Sequence, residues 1–356
     1  MKKWLLFIIP VIVLTSCHKN QPVNDSARNF TIVPQSDGYR VEVINPKNMR
    51  KTSFVLSRKP DENQLKIPVT KVACLSTTHL SYIEVLGQDS TVKAVSGKKL
   101  IYSQTYRKRI NRIEEIGFEQ NLDIEKIISL KPDVIFVYDL NDNLQNKFAL
   151  LEKAGITVVP VYEYLENTPQ GRLEWIKFFG AFFDKMEQAQ NYYDSVKTRY
   201  EELANKAKNS GNKPEVLINV PFNSIWYVPA GNSYMGSFIK DAGAKYKWEN
   251  TAGTGSLPLD FETVLLQAKN SDYLINPGTA ESISDILAIS PRMKLFKPIK
   301  TGEVYNNNKR LNKYGGSDFW ESGPVHPDII LADLIKIFHP KMLEEHQLYY
   351  YKKLKK

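Results

Sequence analysis

The fold is decided by one stretch of the sequence, Asn121-Leu122-Asp123-Ile124-Glu125-Lys126-Ile127-Ile128-Ser129-Leu130-Lys131-Pro132-Asp133-Val134-Ile135. Its first part predicts a helix over 123–130, because apolar residues recur there at helical spacing. Pro132 ends this helix at or before Lys131, since proline disfavours a helical conformation in the residue before it. The apolar run 134–138 that follows is typical of a buried strand. A helix that leads through a Pro-Asp turn into a buried strand indicates an α/β protein.

The same alternation extends outward from this stretch, from residue 67 to about residue 340. The N-terminal lobe, 67–170, is predicted to contain strands 70–75, 91–95, 134–138 and 157–161 and helices 79–86, 123–130 and 142–153. The C-terminal lobe, 213–340, is predicted to contain strands 215–220, 273–276 and 304–305 and helices 234–242, 260–268, 282–288 and 327–338. We therefore expect an α/β fold with two Rossmann-like lobes, each built on a central parallel sheet.

A helical region, 171–212, joins the two predicted lobes. It is interrupted near Phe183-Asp184, where Asp184 is expected to cap the second helix. That helix, over 185–209, would be about 37 Å long at 1.5 Å per residue, which suits a rigid spine between the lobes. Ligands of parallel sheets bind beyond the carboxyl ends of the strands, so the two lobes should enclose a ligand cleft.

The first 17 residues predict export and a lipid anchor. Lys2 and Lys3 precede an apolar run from Trp4 to Leu14, which is shorter than the roughly 20 apolar residues of a membrane span and is typical of a signal peptide. Leu14-Thr15-Ser16-Cys17 resembles the lipobox of bacterial lipoproteins. This resemblance implies that residues 1–16 are a lipoprotein signal peptide and that Cys17 is lipidated.

The segments on either side of the lobes are predicted from their composition. Residues 17–29 are polar and are expected to be a flexible, lipidated tether. Residues 30–66 contain short β-prone runs between turn residues, which predict a small N-terminal β extension. Residues 341–356 are expected to be a basic C-terminal tail with a frayed, solvated end.

Net charge argues against a nucleic-acid partner. The formal charge is +9, but Lys2 and Lys3 leave with the signal and four lysines lie in the last five residues, so the body of the chain carries only +3. The second cysteine, Cys74, lies in an apolar segment and is expected to be a small buried hydrophobic residue.

Several motifs resemble those of one protein family. They are Val72-Ala73-Cys74-Leu75-Ser76-Thr77-Thr78-His79, then Glu84-Val85-Leu86-Gly87, Ile116-Gly117-Phe118 and the opening stretch 121–135. Together they resemble the class III substrate-binding proteins of ABC importers, which carry iron–siderophore complexes, haem and cobalamin. The resemblance implies a monomer at the periplasmic face of a bacterial membrane that serves an ABC permease/ATPase complex. It leaves open whether the lipid sits in the inner or the outer membrane.

The resemblance also implies one permease-docking glutamate in each lobe. The matching positions are Glu125 in the first lobe and Glu262 in the second. A glutamate in the first turn of a helix is favoured by the helix dipole, and its carboxylate is suited to bidentate pairing with arginine.

Candidate ligand contacts lie in loops after the predicted strands, where hydroxyl groups, aromatic faces and cations are concentrated. Such a mixture suits a large, planar or aryl-bearing, negatively charged ligand. The candidates are Ser76, Thr77, Thr78, His79, Tyr102, Phe118, Tyr138, Trp226, Tyr227, Trp248, Phe319 and Trp320.

The sequence offers little support for a bare metal site or for catalysis. It has five histidines, of which only His79 and His326 lie in plausible cleft loops, and it lacks HExxH, GxSxG, P-loop and CxxC motifs. We therefore expect no catalytic residues and no cofactor. The resemblance implies a metal-chelate ligand: a ferric siderophore first, cobalamin second and haem third. Two other hypotheses are an exported enzyme that remodels chelates and a lipoprotein that contacts only other proteins.

Overall fold

The computed structural model describes residues 22–118, 121–138 and 142–356. The predicted signal peptide, Cys17 and the first part of the predicted tether lie outside the described residues. Short 3-10 turns connect several of the elements given below, at Asp89–Thr91, Lys98–Leu100, Ile110–Arg112, Glu163–Leu165, Pro291–Leu295 and Gly323–Val325.

The chain first forms a small, mostly antiparallel sheet. Its strands, in spatial order, are Phe30–Gln35 (β1), Gly38–Ile44 (β2), Lys51–Ser57 (β3) and Leu65–Lys66 (β4). Gly38 is required by a close approach, because a Cβ there would lie 2.0 Å from the carbonyl oxygen of Leu56. Phe30 packs edge-on against Trp175, with ring centroids 4.8 Å apart. The extension therefore contributes to the core of the first lobe.

The N-terminal lobe has one parallel sheet, whose strands are Val72–Cys74 (β5), Val92–Val95 (β6), Glu114–Glu115 (β7), Val134–Val137 (β8) and Thr157–Pro160 (β9). Their order in the sheet is β7-β6-β5-β8-β9. The helices of this lobe are Thr78–Val85 (α1), Gln104–Arg107 (α2), Ile124–Leu130 (α3) and Asp142–Lys153 (α4). Lys131 adopts a left-handed conformation (φ 47°) just before Pro132, which ends α3 as the sequence predicts.

Three helices connect the lobes: Pro169–Leu173 (α5), Trp175–Phe182 (α6) and Met186–Lys208 (α7). Tyr193 in the first half of α7 is buried in the N-terminal core, and Tyr200 in the second half is buried in the C-terminal core. The 23 residues of α7 therefore form the predicted spine. Asp184 does not cap it: this residue has a positive φ of 53°, and its carboxylate accepts hydrogen bonds from Arg58 at 2.6 and 2.8 Å.

The strands of the C-terminal lobe are Glu215–Ile218 (β10), Trp226–Pro229 (β11), Lys245–Tyr246 (β12), Ser256–Leu259 (β13), Tyr273–Ile275 (β14), Val304–Asn306 (β15) and Lys352–Lys353 (β16). Five of them form a second sheet, in the order β12-β10-β14-β15-β16, whose first four strands are parallel. The helices of this lobe are Tyr234–Asp241 (α8), Phe261–Ala268 (α9), Ile283–Ile289 (α10), Lys297–Thr301 (α11), Asp318–Glu321 (α12) and Pro327–Phe338 (α13). β11 and β13 form a separate antiparallel pair. The predicted α/β fold class is confirmed.

The sequence prediction for the C-terminal tail is wrong. Instead of a frayed end, 341–356 completes the second lobe: Tyr350 and Tyr351 are fully buried, and β16 pairs with β15. The carboxylate of Asp333 accepts the backbone N–H groups of Tyr349, Tyr350 and Tyr351 at 2.7–3.0 Å. Apolar rings face inward while the lysines remain at the surface, so a count of charges alone misleads here.

The prediction of a flexible tether is also wrong for its described part, 22–29. The buried carboxylate of Glu174 accepts the backbone N–H groups of 25–27 at 2.7–3.0 Å, and that of Glu166 accepts those of 28 and 29 at 3.0–3.1 Å. Lys177 forms a buried ion pair with Glu174 at 2.8 Å. This segment is therefore bound to the protein, because the carboxylates provide the partners that its backbone would otherwise find in water.

Candidate functional site

A cavity of about 500 Å³ lies at the carboxyl ends of three parallel strands of the second lobe. Asn219, Asn276 and Asn307 line it, each directly after β10, β14 or β15. Arg172 of α5 and Trp320 of α12 complete its polar and aromatic wall. Its size and its position beyond the strand ends are those of a small-molecule site in an α/β protein.

Arg172 and Glu163 place charge at this cavity and beside it. Arg172 is only 8% exposed, its guanidinium carbon lies 3.7 Å from the centroid of the Tyr234 ring, and its Nε has no hydrogen-bond partner among the described residues. Glu163 is 2% exposed; Thr78 donates to its Oε1 at 2.7 Å, and its Oε2 has no such partner. Burial raises the pKa of Glu163, while Thr78 and Arg172 oppose that shift. A buried guanidinium with a free donor is suited to an anionic oxygen.

The hydroxyl residues after β5 form a small network. Ser76 Oγ lies 2.8 Å from Thr78 Oγ1, which in turn donates to Glu163. Thr77 is half-buried at the start of α1 and makes no side-chain capping bond. These residues follow the end of β5, as the sequence predicts, but none of Ser76, Thr77 and Thr78 is among the residues that line the cavity of about 500 Å³.

Four predicted contacts lie in the core, which corrects the sequence prediction for them. Both ring nitrogens of His79 lack partners among the described residues, and its ring packs against Phe136 and Phe179 with centroids 6.4 and 6.0 Å apart. Burial lowers the pKa of His79 to about 3, so this side chain is neutral and unavailable to a ligand. The other three are Trp226, Trp248 and Phe319, all less than 9% exposed.

The remaining aromatic candidates are accessible to different degrees. Phe118, Tyr227 and Trp320 are 47%, 42% and 52% exposed, and Trp320 lines the cavity of about 500 Å³. Tyr138 is half-buried directly after β8, next to residues 139–141, which lie outside the described residues. Of these aromatics, the structure brings only Trp320 together with Arg172.

Tyr102 belongs to a contact between the lobes. It lines a cavity of about 280 Å³, where the guanidinium carbon of Arg310 is 5.1 Å from its ring centroid. The segment 99–103, here called the strap, is held against the second lobe by Glu321 and Asn312. Glu321 accepts the N–H groups of 102 and 103 at 2.7 Å, and Asn312 Nδ2 donates to the carbonyls of 99 and 101 at 3.0 Å.

Glu125 and Glu262 occupy equivalent positions in the two lobes. Each lies in the first turn of a helix that an aspartate caps: Asp123 accepts the backbone N–H of 126 at 3.0 Å, and Asp260 that of 263 at 2.7 Å. Both glutamates are exposed, and Glu262 forms a surface ion pair with Arg292 at 2.8 Å. Such a pair contributes little stability, so this carboxylate can exchange partners at low cost.

Sequence reasoning missed Glu163, Arg172, Asn312 and Glu321. Thr168-Pro169 gave a usable signal for Arg172, because a threonine cap followed by proline marks the start of a helix two residues before the predicted helical region. For Glu321, Asn312 and Glu163 the partners are distant in sequence, and no local pattern identifies them.

The described residues contain neither a cluster of metal-ligating side chains nor a membrane-spanning helix. No group of three or more histidine, cysteine, aspartate or glutamate side chains is arranged to hold a metal ion there. In the same residues, none of the helices combines the length and the apolar character needed to cross a bilayer.

Two α/β lobes joined by a spine helix, with polar strand ends around a cavity, define a two-lobed binding protein. The model of the periplasmic binding protein family matches residues 72–311. The chain belongs to this family of substrate-binding proteins of ABC importers, and it is a binding protein and not an enzyme.

Relatives and solved structures agree with this assignment. An uncharacterised lipoprotein of Methanocaldococcus jannaschii is 31% identical over 301 residues, which cover 81% of this chain and 70% of that protein. An uncharacterised ABC transporter substrate-binding lipoprotein of Bacillus subtilis is 23% identical over 248 residues, or 68% of this chain and 70% of that protein. A periplasmic haem-binding protein of Pseudomonas aeruginosa superposes with a TM-score of 0.59 at 16% identity, over 76% of this chain and 93% of that one. The superposition shows a shared fold.

Proposed function

We propose that this protein captures a metal chelate between its lobes, in the first place a ferric siderophore, and delivers it to an ABC permease. Binding is reversible, and the ligand leaves chemically unchanged. Cobalamin and haem are the alternative ligands.

The observation that carries this proposal is the combination of Arg172 and Trp320 in one cavity of about 500 Å³. Arg172 offers a free donor to anionic oxygens, and the half-exposed ring of Trp320 offers a face to an aryl group or to the chelate surface. A bare ion would need several converging side-chain ligands, whereas a chelate brings its own donor atoms to the metal.

Haem is supported by a separate observation. Haem iron takes an axial ligand such as histidine, methionine or tyrosine, and Tyr234 and Met235 both line the cavity. His79 cannot serve, because it is buried in the core of the first lobe. A haem complex would therefore use Tyr234 or Met235.

Delivery requires a partner in the membrane. We propose that Glu125 and Glu262 dock on arginines of the permease, one lobe each, and that lipid on Cys17 holds the protein, as a monomer, at the periplasmic face of the membrane. The equivalent, exposed positions of the two carboxylates support this role.

The proposal is tested by titrating the purified protein with a ferric triscatecholate, a ferric trihydroxamate, cyanocobalamin and haemin while tryptophan fluorescence is followed. We expect micromolar or tighter quenching by a ferric siderophore, and Arg172→Gln should weaken binding roughly 10- to 100-fold. Arg292→Gln, which removes a surface guanidinium outside the cavity, is the matched control and should bind as the wild type does.

Three outcomes would contradict the proposal. If cobalamin alone or haemin alone binds tightly, that compound and not a siderophore is the ligand. Failure of all four compounds to bind, with no ligand found by native mass spectrometry of the purified protein, would favour a lipoprotein that contacts only other proteins.

A further inference from the structure

Lys98, Lys99, Arg107 and Lys313 line one cavity of about 390 Å³, here called the basic pocket, together with Ile110, Glu115 and Tyr314. The first three cations belong to the N-terminal lobe and Lys313 to the C-terminal lobe. The basic pocket therefore lies where the lobes meet, next to the strap, and on the same C-terminal segment, 307–320, that contributes Asn307 and Trp320 to the cavity of about 500 Å³.

The positive charge of the basic pocket is only partly offset from within, because four cations line it and only one carboxylate does. Its one acid, Glu115, is engaged by the backbone: Oε1 accepts the N–H groups of 97 and 117 at 3.1 and 3.0 Å, and Oε2 accepts that of 98 at 2.7 Å. Within 22–118, 121–138 and 142–356, no carboxylate lies within ion-pair distance of the four cations. Like charges gathered in one pocket repel, and an anion between them removes that repulsion.

Two of the cations lie near one aromatic ring. The ammonium groups of Lys99 and Lys313, from different lobes, are 5.9 and 5.0 Å from the centroid of Tyr314. Arg107 is held by a hydrogen bond from Nη1 to the carbonyl of Ile101 at 3.2 Å, which leaves its other donors for a ligand. The lobes also approach closely here: a Cβ on Gly316 would lie 1.8 Å from the carbonyl oxygen of Leu100.

We propose that the basic pocket binds the negatively charged part of the ligand, so that the substrate is a polyanionic chelate. This inference rests on the proposed function and narrows it. Ferric iron bound by three catecholate dianions keeps three negative charges, and polycarboxylate chelates are also anionic, whereas three hydroxamates only neutralise the metal. The basic pocket thus selects ferric catecholates or polycarboxylates over neutral hydroxamates and over cobalamin, whose side chains are mostly neutral amides.

The test compares a ferric triscatecholate with a neutral ferric trihydroxamate by isothermal titration at two salt concentrations. The variant is Lys98→Gln with Lys99→Gln and Lys313→Gln, and the matched control replaces three exposed lysines near the end of α7: Lys206→Gln, Lys208→Gln and Lys213→Gln. We expect the pocket variant to lose about 30-fold or more in affinity for the triscatecholate and most of its salt dependence. The control variant should bind the triscatecholate as the wild type does. The affinity of the pocket variant for the trihydroxamate should equal that of the wild type.

Equal triscatecholate affinity in the wild type and the pocket variant would overturn the inference, as would a wild-type preference for the trihydroxamate. Iron-free citrate separates this result from the proposed function. If no chelate binds but citrate binds the wild type and not the pocket variant, the anion site stands and the proposed function fails. If citrate does not bind and the chelates bind the variant normally, the proposed function stands and the anion site fails.

Discussion

Glu321 and Tyr102 join the two lobes directly, because the Glu321 carboxylate accepts the backbone N–H of Tyr102 at 2.7 Å across the lobe boundary. Burial, with smaller effects of Asp318 and Glu84, raises the pKa of Glu321 to about 7, although the two backbone donors act in the opposite direction. One titratable side chain thus lies in the contact that holds the strap to the second lobe.

The first prediction concerns Glu321→Gln. Between pH 4.5 and 7 the folded protein keeps the proton on Glu321 and the unfolded chain does not, so this group's contribution to stability falls as pH rises. The free energy of unfolding of the wild type minus that of the variant should therefore decrease by about 3 kcal/mol as the pH rises from 4.5 to 7. Urea unfolding at several pH values measures it, and a constant difference would show that Glu321 does not titrate there.

The second prediction concerns His79→Leu. Because His79 is buried with both ring nitrogens unpaired, the change should raise the free energy of unfolding at pH 7 by about 1 kcal/mol. The lowered pKa means that the unfolded chain takes up a proton below pH 6.5 while the folded protein does not, so the wild type should lose stability as pH falls toward 3. The variant should lose less. If His79→Leu binds the chelate more weakly than the wild type does, His79 contacts the ligand after all.

The third prediction concerns Asp333, which holds the C-terminal segment. Asp333→Ala leaves three backbone N–H groups, two of them buried, without their acceptor, so the free energy of unfolding should fall by about 3 kcal/mol or more. Asp194→Ala, on the exposed face of α7, is the control and should stay near the wild type. Thermal and urea unfolding provide the measurement, and a loss no larger than that of the control would mean that the tail is not integral to the lobe.

The fourth prediction concerns permease docking. Glu125→Ala combined with Glu262→Ala removes two charge-assisted contacts and should reduce stimulation of the permease ATPase more than 10-fold, where each tenfold corresponds to about 1.4 kcal/mol. The affinity for the ligand should be unchanged. The assay uses the permease complex in proteoliposomes. Glu201→Ala with Glu202→Ala, two exposed glutamates of α7, is the control. Full stimulation by the docking variant would exclude these glutamates as the contact.

Much of the fold follows from local sequence pattern. Pro132 and the apolar run after it locate α3 and β8 because a helix stop and a buried strand are both local properties. The two terminal segments were mispredicted because their partners lie outside them: Glu174 is 148 residues from Ser26, and Asp333 is 17 residues before Tyr350. Polar or basic composition alone cannot show that a buried carboxylate elsewhere binds a segment's backbone.

The site is harder to predict, as the neighbours Phe319 and Trp320 illustrate. Both aromatics precede the last helix, yet Phe319 packs against Tyr350 and Tyr351 while Trp320 is half-exposed in the cavity. Sequence places both in the same loop, but only the packing of the C-terminal segment decides which ring faces inward. The pairing of Arg172 with Tyr234 likewise depends on how the lobes meet.

The bound N-terminal segment has a consequence for transport. The chain is already fixed at Val23, whose N–H donates to the carbonyl of Ile32 at 3.0 Å, so only a few residues separate it from Cys17. If Cys17 carries lipid, as we propose, the protein surface would lie within roughly 20 Å of the bilayer, since each residue spans at most about 3.6 Å. For a protein on so short a tether, the effective concentration of partners in the same membrane is on the order of millimolar. Under the proposed function, weak docking would then be sufficient for delivery, and the protein could release the permease once its cargo has left.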